Sequence, residues 1–358
     1  MKVVFAGLSI TSSWGNGHAT NYRALARELA VRGHEVLFCE RDMPWYAAHR
    51  DLPQPSFCRL LLYSSLAELQ ARAGGAVGAA DLVLVGSYVP EGVAVATWAI
   101  EQAGGLTAFY DIDTPVTLSK LDRRDHEYLE PRLVGRFDVY LSFTGGPTLA
   151  RLENHYGARR ALAFHCLVDE QAYAPLRLEP RWDLGYLGTY SPDRQGSLET
   201  LLIEPARRAA PLRFVVAGPQ YPERTGWPRN VRRIEHVAPA AHPRFYAAQR
   251  FTLSVSRAEM LRAGWSPSVR LFEAAACGVP VISDRWPGVQ ELFVPGEEIL
   301  LADSTEEVLV LLTELDEGRR EQIATRARER VLREHTAARR VDLLEELVRP
   351  LVSDQAAA

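Results

Sequence analysis

Lysine is almost absent from this sequence. Of its 41 lysine and arginine residues only Lys2 and Lys120 are lysines, so beyond residue 120 the permanent cations are all arginine. An anion bound by the later part of the chain must therefore be met by guanidinium groups, whose planar fork matches phosphate oxygens. The net charge of -4 at pH 7 also argues against a surface that binds nucleic acid or anionic lipid.

Cysteine pairs and long apolar runs are missing as well. The four cysteines lie far apart without a Cys-x-x-Cys motif, which speaks against a zinc site or a disulfide framework: Cys39, Cys58, Cys166 and Cys277. No stretch approaches about 18 uninterrupted apolar residues, so we expect no integral membrane contact. Residues 1–7 indicate a first strand rather than a signal peptide, and we expect a cytoplasmic protein.

Short apolar runs alternate with helical patterns through the first half of the chain. A strand (3–7), a glycine-containing loop, an amphipathic helix (20–32) and a second strand (35–39) make one βαβ unit. Further strand-like runs follow at 81–86, 106–110 and 138–143. The alternation predicts a parallel sheet covered by helices on both faces, a Rossmann-like domain over residues 1–168.

The pattern breaks once and then resumes. A polar, proline-containing stretch at 169–182 predicts a linker, and strands alternate with helices again through 183–336. We expect the last helix, within 337–358, to cross back and pack on the first domain. The sequence thus predicts an α/β fold of two Rossmann-like βαβ domains that face each other across a central cleft. Ligands of such sheets bind at the carboxyl ends of the strands, so the cleft is the expected site.

Residues 264–284 carry the densest chemical signal. Ser266 or Ser268 can cap a helix whose N-terminus, with its free N–H groups and partial positive charge, suits a diphosphate. Arg270 and Glu273, three positions apart, project from one face of that helix. A guanidinium for phosphate and a carboxylate for ribose hydroxyls is what a sugar nucleotide requires. The alternative is a structural Arg–Glu pair on the helix.

At these residues the chain resembles the nucleotide-sugar glycosyltransferases of the GT-B fold, in particular the group with a Glu-x7-Glu motif followed by Ala-Cys-Gly-x-Pro-Val. Other segments match that group in order: Val168-Asp169 with Tyr173 and Pro175, Val215 to Gly218, Asn230 to His236, and Phe245 to Ala248. Four further segments are similar to its spore-maturation (CgeB-type) branch: Trp14 to His18, Phe109 to Pro115, Ser266 to Glu273, and Pro295 to Glu298.

The resemblance implies a metal-independent glycosyltransferase of the hexosyltransferase type. Its donor substrate would be a nucleoside diphosphate sugar, a UDP-sugar first among them, and it would need no cofactor. The acceptor hydroxyl or amine would belong to a small molecule, a glycan or a polypeptide, and no nucleic acid would take part. Two alternatives stay open: a nucleotide-sugar 2-epimerase of the same fold, which acts without an acceptor, and a catalytically silent nucleotide-sugar binding protein.

One departure from the family pattern concerns the donor sugar. The first glutamate of the motif would fall eight positions before Glu273, where this chain has Trp265. Either Glu259 takes that role from a longer loop, or Gly264, Trp265 and Ser266 replace the carboxylate with backbone N–H groups and an indole.

The diphosphate falls to arginines in this chain. The candidates are Arg194, in a segment that also carries Gly188 and Tyr190, together with Arg257 and Arg270. The absence of lysine after residue 120 excludes a pyridoxal-phosphate phosphorylase of this fold, because its Schiff-base lysine would come from the second half.

The loop after the first strand is the first candidate on the acceptor side. It carries Gly15, Asn16, Gly17 and His18, the last at a helix N-terminus where it can act as a base or a hydrogen-bond donor. The pattern is not Gly-x-Gly-x-x-Gly, so a dinucleotide cofactor is not expected. The alternative is a tight turn with an ordinary surface histidine.

Two further candidates follow later strands. Asp111 and Asp113 come after the strand 106–110, where a carboxylate can deprotonate an acceptor or stabilise oxocarbenium charge. Their Asp-x-Asp spacing also resembles a metal-binding motif, but we expect no metal because the helix N-terminus and arginines can neutralise the diphosphate. The alternative for one of the two aspartates is a helix-capping or turn role. Thr144 and Gly145, after the strand 138–143, are expected either to line the acceptor side or to form a plain turn.

Overall fold

The computed structural model describes residues 1–356, the side chains of Arg224 and of residues 350–356 excepted. Two compact units divide the chain. Unit 1 comprises Met1–Leu167 and the segment that starts at Ala337, and unit 2 comprises Val168–Thr336. The stretch 169–182, expected to be a linker, is grouped with unit 2.

Unit 1 is a parallel sheet with helices between its strands. Its strands are β1 (Lys2–Gly7), β2 (Glu35–Arg41), β3 (Arg59–Tyr63), β4 (Leu82–Gly86), β5 (Leu106–Asp111), β6 (Val139–Ser142) and β7 (Ala161–Ala163). Its first helices are α1 (His18–Val31), α2 (Pro44–Ala47), α3 (Leu66–Gly78), α4 (Gly92–Gln102), α5 (Thr114–Asp122), α6 (Pro131–Val134) and α7 (Pro147–Asn154). The strand order is β3-β2-β1-β4-β5-β6-β7. All five residues of β4 are buried, as expected for a parallel strand covered on both faces.

Unit 2 repeats this architecture. Its strands are β8 (Trp182–Leu187), β9 (Phe214–Ala217), β10 (Val231–Ile234), β11 (Gln249–Ser254), β12 (Val281–Ser283) and β13 (Leu300–Leu301), in the order β10-β9-β8-β11-β12-β13. Its helices are α8 (Pro192–Leu198), α9 (Glu204–Arg208), α10 (His242–Ala247), α11 (Ala258–Ala263), α12 (Val269–Ala276), α13 (Val289–Leu292), α14 (Thr305–Glu314) and α15 (Glu317–Glu334). A π-helical turn, Glu199–Ile203, joins α8 to α9.

The final helix, α16 (Ala337–Ala356), belongs to unit 1 and packs on α1. The Arg32 guanidinium lies 2.8 Å from Asp342 and 3.0 Å from Glu345 of α16. Because such half-exposed ion pairs contribute little, the buried apolar side chains of α16, Val341 and Leu344 among them, carry most of the attachment. None of the helices in the described residues is both long enough and apolar enough to span a membrane.

Each sheet has one point at which its winding reverses. In unit 1 the chain adds β2 and β3 on one side of β1 and then places β4 on the other. In unit 2 it adds β9 and β10 on one side of β8 and then places β11 on the other. Loops that leave the carboxyl ends of such neighbouring strands diverge and open a crevice, which makes these two edges the places where a ligand fits.

Candidate functional site

In unit 2 the crevice is occupied by the Arg270 side chain, from the first turn of α12. Its Nε donates to the Leu187 carbonyl at 2.5 Å, its Nη1 lies 3.4 Å from Ser254 Oγ, and its guanidinium lies 4.8 Å from the centre of the Tyr186 ring. Leu187 and Ser254 end β8 and β11, so the side chain sits at the winding reversal. Within the described residues, no carboxylate pairs with Arg270. The structural Arg270–Glu273 pair considered as an alternative is therefore not formed.

Arg194, on α8, brings a second cation to this place. Its Nη2 donates to the Thr189 carbonyl at 2.8 Å, while its buried Nε has no hydrogen-bond partner among the described residues. Burial lowers the pKa of Arg194, and the nearby positive charges of Arg270 and Arg257 lower it further. Arg257 is the residue from which α11 begins. Three arginines thus converge on one crevice, an arrangement that an anionic ligand stabilises.

The start of α12 offers its backbone to the same ligand. Ser268, one of the two residues expected to cap the helix, is the N-cap residue, but its hydroxyl accepts no hydrogen bond from the helix backbone and instead accepts one from Arg270 Nη1 at 3.4 Å. Ser266 is buried. Because the Ser268 hydroxyl leaves the first N–H groups to other acceptors, the helix N-terminus adds to the positive field of the crevice. Gly188 lies close to these side chains: an added Cβ would be 2.7 Å from the Tyr186 hydroxyl and 2.9 Å from Arg270 Nη2, so one of them would have to shift.

Trp265, which stands at the position of the family's first glutamate, is held in the left-handed region at φ +44°. Its backbone N–H donates to the Pro287 carbonyl at 2.6 Å, and its indole Nε1 donates to Glu291 at 2.7 Å. Gly264 approaches Pro287 so closely that a Cβ would lie 2.7 Å from its carbonyl oxygen. The other candidate for the glutamate role, Glu259, lies in the first turn of α11, 3.5 Å from Arg262.

Glu273, one turn along α12 from Arg270, is buried at 4% exposure. The Tyr246 hydroxyl donates to its Oε2 at 2.9 Å, and His242 Nδ1 lies 3.9 Å from the same oxygen. The sequence resemblance included the segment Phe245 to Ala248 of α10 but could not show that its Tyr246, or His242 before it, contacts Glu273, because α10 is remote from α12 in sequence.

Asp284, at the end of β12, is a second buried carboxylate that sequence reasoning left out. It accepts hydrogen bonds from the backbone N–H of Ser256 at 2.8 Å and from the Ser256 hydroxyl at 3.0 Å. Burial raises its pKa, and these hydrogen bonds oppose the rise. Asp284 therefore fixes the loop after β11, which carries Arg257.

An aromatic cluster borders the Gly188 side of the crevice. The Tyr190 ring lies 5.5 Å from that of Tyr221, which lies 5.4 Å from Trp227. The Arg233 guanidinium packs 4.1 Å from the centre of the Tyr221 ring, and the Tyr221 hydroxyl donates to the Gly188 carbonyl at 3.1 Å. Only Tyr190 was singled out from the sequence, because the other members come together through the β8–β9–β10 topology.

In unit 1 the corresponding edge holds a row of three side chains from three loops. His18 begins α1, and its ring centre lies 5.5 Å from that of Tyr88, which follows β4. The Tyr88 hydroxyl donates to Asp113 Oδ2 at 3.1 Å. Asn16 Oδ1 accepts a hydrogen bond from the His18 backbone N–H at 3.1 Å and so fixes the start of the helix. Tyr88, at φ +63°, links two residues that the sequence proposed separately.

The expectation of a catalytic role for Asp111 is contradicted by its position. Its carboxylate is fully buried and accepts hydrogen bonds from the Tyr140 hydroxyl at 2.5 Å and the Thr117 hydroxyl at 2.7 Å. Burial raises its pKa to about 6. Asp111 ends β5 with its side chain turned into the interior, whereas Asp113, two residues on, reaches Tyr88. Asp111 joins β5, β6 and α5 and is a structural residue.

The remaining loop residues of unit 1 divide into exposed and buried positions. Gly15, at φ +58°, and Gly17, the N-cap residue of α1, are exposed and leave the loop surface open. Thr144 is fully buried, which contradicts its expected place along the acceptor side. Gly145 packs on His165, since an added Cβ would lie 3.2 Å from the imidazole ring.

Glu40, near the end of β2, holds the loop that leads to His18. No sequence motif predicted this role of Glu40. It is fully buried and accepts four hydrogen bonds: from Ser9 Oγ at 2.9 Å, the Ile10 N–H at 2.7 Å, the Thr11 N–H at 3.0 Å and Thr11 Oγ1 at 2.6 Å. A carboxylate with this many donors is stable inside the protein and holds the loop in one conformation. Over the described residues, no group of three or more histidine, cysteine or acidic side chains is arranged to hold a metal ion.

Comparison with known proteins finds solved structures that are similar over the whole fold and a family model that matches most of unit 2. Residues 194–346 match the family model described as "Glycosyl transferase-like". Sucrose-phosphate synthase from Thermosynechococcus elongatus has a TM-score of 0.72 at 15% identity, over 98% of this chain and 99% of that one. HepE from Anabaena, solved with UDP and glucose, has a TM-score of 0.71 at 16% identity, over 98% and 100% of the chains.

A third solved structure bears on the epimerase alternative. A Listeria monocytogenes protein described as a UDP-N-acetylglucosamine 2-epimerase has a TM-score of 0.59 at 13% identity, over 98% and 96% of the chains. No curated protein matches the sequence.

The predicted fold is thereby confirmed: the chain is an α/β protein of the GT-B fold, with one Rossmann-like sheet in each unit. The predicted resemblance to the glycosyltransferases is confirmed as well, because the family match spans residues 194–346 and includes Arg194, Arg257, Arg270 and Glu273. The finer resemblance to the CgeB-type branch stays a prediction.

Proposed function

We propose that this protein transfers a sugar, of the hexosyl type, from a nucleoside diphosphate sugar to an acceptor hydroxyl or amine. The observation that carries the proposal is the convergence of Arg194, Arg257 and Arg270 at the N-terminus of α12, two of them without a carboxylate partner in the described structure. Asp193 and Asp284 are the carboxylates that interact with these three arginines, and a diphosphate supplies the negative charge that balances the remaining positive charge. The glycosyl transferase-like match over residues 194–346 supports the same ligand class.

Each part of the donor then has a candidate partner in unit 2. The three arginines and the first N–H groups of α12 bind the diphosphate, Glu273 accepts hydrogen bonds from the ribose hydroxyls, and Tyr190 borders the base. The guanidinium groups also stabilise the charge that builds on the diphosphate as the bond to the sugar breaks, which makes a metal ion unnecessary. UDP is the first nucleotide to test, since HepE was solved with it.

We assign the acceptor to the row His18, Tyr88 and Asp113 of unit 1. The acceptor oxygen or nitrogen forms a bond to the anomeric carbon, the bond from that carbon to the diphosphate breaks, and the acceptor proton passes to Asp113 or His18. Tyr88, which donates to Asp113 at 3.1 Å, orients that carboxylate. The same proposal includes two further points: neither a cofactor nor nucleic acid takes part in the reaction, and the protein is cytoplasmic.

Thermal stabilisation by a panel of UDP, GDP, dTDP, CDP and ADP tests the donor site. A ligand present at about 100 times its Kd stabilises the folded state by about 2.7 kcal/mol, an easily measured shift. We expect a shift with one nucleotide in the presence of EDTA and its loss in Glu273→Ala. No shift with any nucleotide would show that the fold has kept no donor site.

Incubation with the matching sugar nucleotides then separates the three activities. Sugar transfer that requires an acceptor supports the proposal. Conversion of one sugar nucleotide into another without an acceptor identifies the 2-epimerase, and binding without turnover identifies the silent binding protein.

A further inference from the structure

Helix α10 presents two polar side chains to Glu273 from the same face. His242 and Tyr246 are four positions apart and therefore lie one above the other on the helix. The Tyr246 hydroxyl donates to Glu273 Oε2 at 2.9 Å, and His242 Nδ1 lies 3.9 Å from that oxygen. The Tyr173 hydroxyl also interacts with the Glu273 carboxylate, and this hydrogen bond is one of the causes that raise the pKa of Tyr173. The hydrogen bond from Tyr246 and the contact of His242 are both made to Oε2.

The histidine is itself held in one orientation. Its Nε2 lies 3.1 Å from the Val237 carbonyl, an acceptor, so we assign a proton to Nε2. Its Nδ1 lies 3.1 Å from the Tyr173 hydroxyl and faces Glu273. In the neutral ring Nδ1 accepts a hydrogen bond from Tyr173, and in the charged ring Nδ1 carries a proton toward Glu273. In both states the imidazole blocks the Oε2 side of the carboxylate.

The charged and titratable groups around this pair leave Tyr246 as a neutral donor. Burial, and after it the Glu273 charge, raise the pKa of Tyr246 and of Tyr173, so both hydroxyls keep their protons. Cys277, at the end of α12, has its pKa raised to about 12 by burial and is also neutral. The cations nearby are Arg270, which acts on Tyr246, and Arg328 of α15, which acts on Cys277.

We propose that Tyr246 and His242 are positioning residues for Glu273: they hold Oε2, so that Oε1 is the oxygen that accepts from the ribose hydroxyls of the donor. This inference rests on the proposed function and adds to it the residues that orient the sugar-binding carboxylate. The carboxylate is buried, and the hydrogen bond from Tyr246 is made to Oε2. Without that bond Glu273 can turn, and its fit to the ribose is lost.

The test measures the contribution of the ribose hydroxyls alone. The Kd of UDP, GDP, CDP and ADP is compared, by calorimetry, with that of the 2′,3′-dideoxy form of each. For the base that binds, we expect the dideoxy form to bind about tenfold or more weakly to the wild type, since hydrogen bonds to a charged group are among the stronger ones. Glu273→Gln serves as the reference for loss of that ratio.

Tyr246→Phe removes one hydroxyl and is the most conservative variant. We expect it to bring the ratio close to one while the Kd of the dideoxy nucleotide stays unchanged. His242→Gln keeps a donor for the Val237 carbonyl but lacks Nδ1, and we expect it to lower the ratio of the two Kd values. The amide of His242→Asn occupies the place of Nδ1, and we expect this variant to keep the wild-type ratio. If Tyr246→Phe fails to fold, the two His242 variants decide.

Each result separates this inference from the proposed function. An equal loss of affinity for both nucleotide forms would mean a merely structural role and would overturn the inference. A large wild-type ratio that Glu273→Gln abolishes and the Tyr246 and His242 variants leave intact would overturn it as well, with the donor site intact. Nucleotide binding with a wild-type ratio of one would remove Glu273 from the ribose and the inference with it. Absence of binding by every nucleotide would overturn the proposed function and, with it, this inference.

Discussion

Replacement of Arg270 by glutamine is expected to separate the binding of phosphate from the stability of the fold. Arg270 donates to the Leu187 carbonyl at 2.5 Å, and its charge adds to that of Arg194 and Arg257. The variant loses the hydrogen bond to Leu187 and two long ones, of 3.4 Å, to Ser254 and Ser268, at about 1 kcal/mol or less each, but is relieved of repulsion between buried cations. The free energy of unfolding of the ligand-free protein should therefore fall by less than about 3 kcal/mol.

Binding of the nucleoside diphosphate should change far more. Two charge-assisted hydrogen bonds from one guanidinium contribute about 1.5–3 kcal/mol each, so Arg270→Gln should raise the Kd at least about 100-fold. The Kd of the corresponding nucleoside, which has no phosphate, should stay the same. Calorimetry with both ligands measures the two effects, and the wild-type Kd should also depend more strongly on salt than that of the variant.

Arg326→Gln is the matched control for this experiment. Arg326 is half-exposed and pairs with Glu297 at 2.6 Å, away from the α12 N-terminus, so its loss should leave both ligands unaffected. A change of less than about threefold in the diphosphate Kd of Arg270→Gln, or an equal loss for nucleoside and diphosphate, would refute the assignment of Arg270 to the phosphates.

Three other substitutions, one of them with a control variant, test the rest of the structure. Asp113→Asn should spare nucleotide affinity and lower turnover about 100-fold or more, and the reverse pattern would contradict its role in proton transfer. Burial lowers the pKa of His165 from 6.5 to about 4. Between these two pH values the histidine is protonated in the unfolded chain but not in the folded protein, so the free energy of unfolding falls as the pH is lowered. The unfolding free energies of wild type and His165→Asn should diverge there by about 3 kcal/mol, and a constant difference would contradict this. Gly288 lies at φ +88° beneath the Trp265 ring, so Gly288→Ala should lower the free energy of unfolding, measured in urea, by about 2–3 kcal/mol. The control, Gly74→Ala, has open space around it in α3 and should raise the free energy of unfolding. Equal effects of the two substitutions would refute the steric argument.

The fold could be predicted because the strands of a parallel sheet are short apolar runs bounded by polar or glycine residues. The predicted strands 3–7 and 35–39 lie within β1 and β2. β3 and β7 were not predicted, although both are apolar; they are the two edge strands of the sheet, and several of their residues are only partly buried. α11 was also missed, since its six residues, Ala258–Ala263, contain no buried position and hence no amphipathic signal.

The candidate site could be predicted in its residue types but not in its partners. Spacing placed Arg270 and Glu273 on one face of α12, yet Leu187 and Tyr246, which hold them, come from other elements that only the topology brings near. The two aspartates after β5 show the limit most clearly. The strand runs one residue further than the apolar pattern indicates, so Asp111 is still part of the sheet and turns inward, while Asp113 lies beyond it.

The contact between α16 and α1 has a consequence for the order in which the protein is made. Unit 1 is built from residues at both ends of a chain that is synthesised from one end, so its α1 surface stays uncovered while all of unit 2 leaves the ribosome. Residues 168–336 can complete their sheet first. The apolar face of α1 is then covered only after Val341 and Leu344 have been synthesised. A nascent chain stalled before residue 337 would expose that face, which chaperones or other unfolded chains could bind.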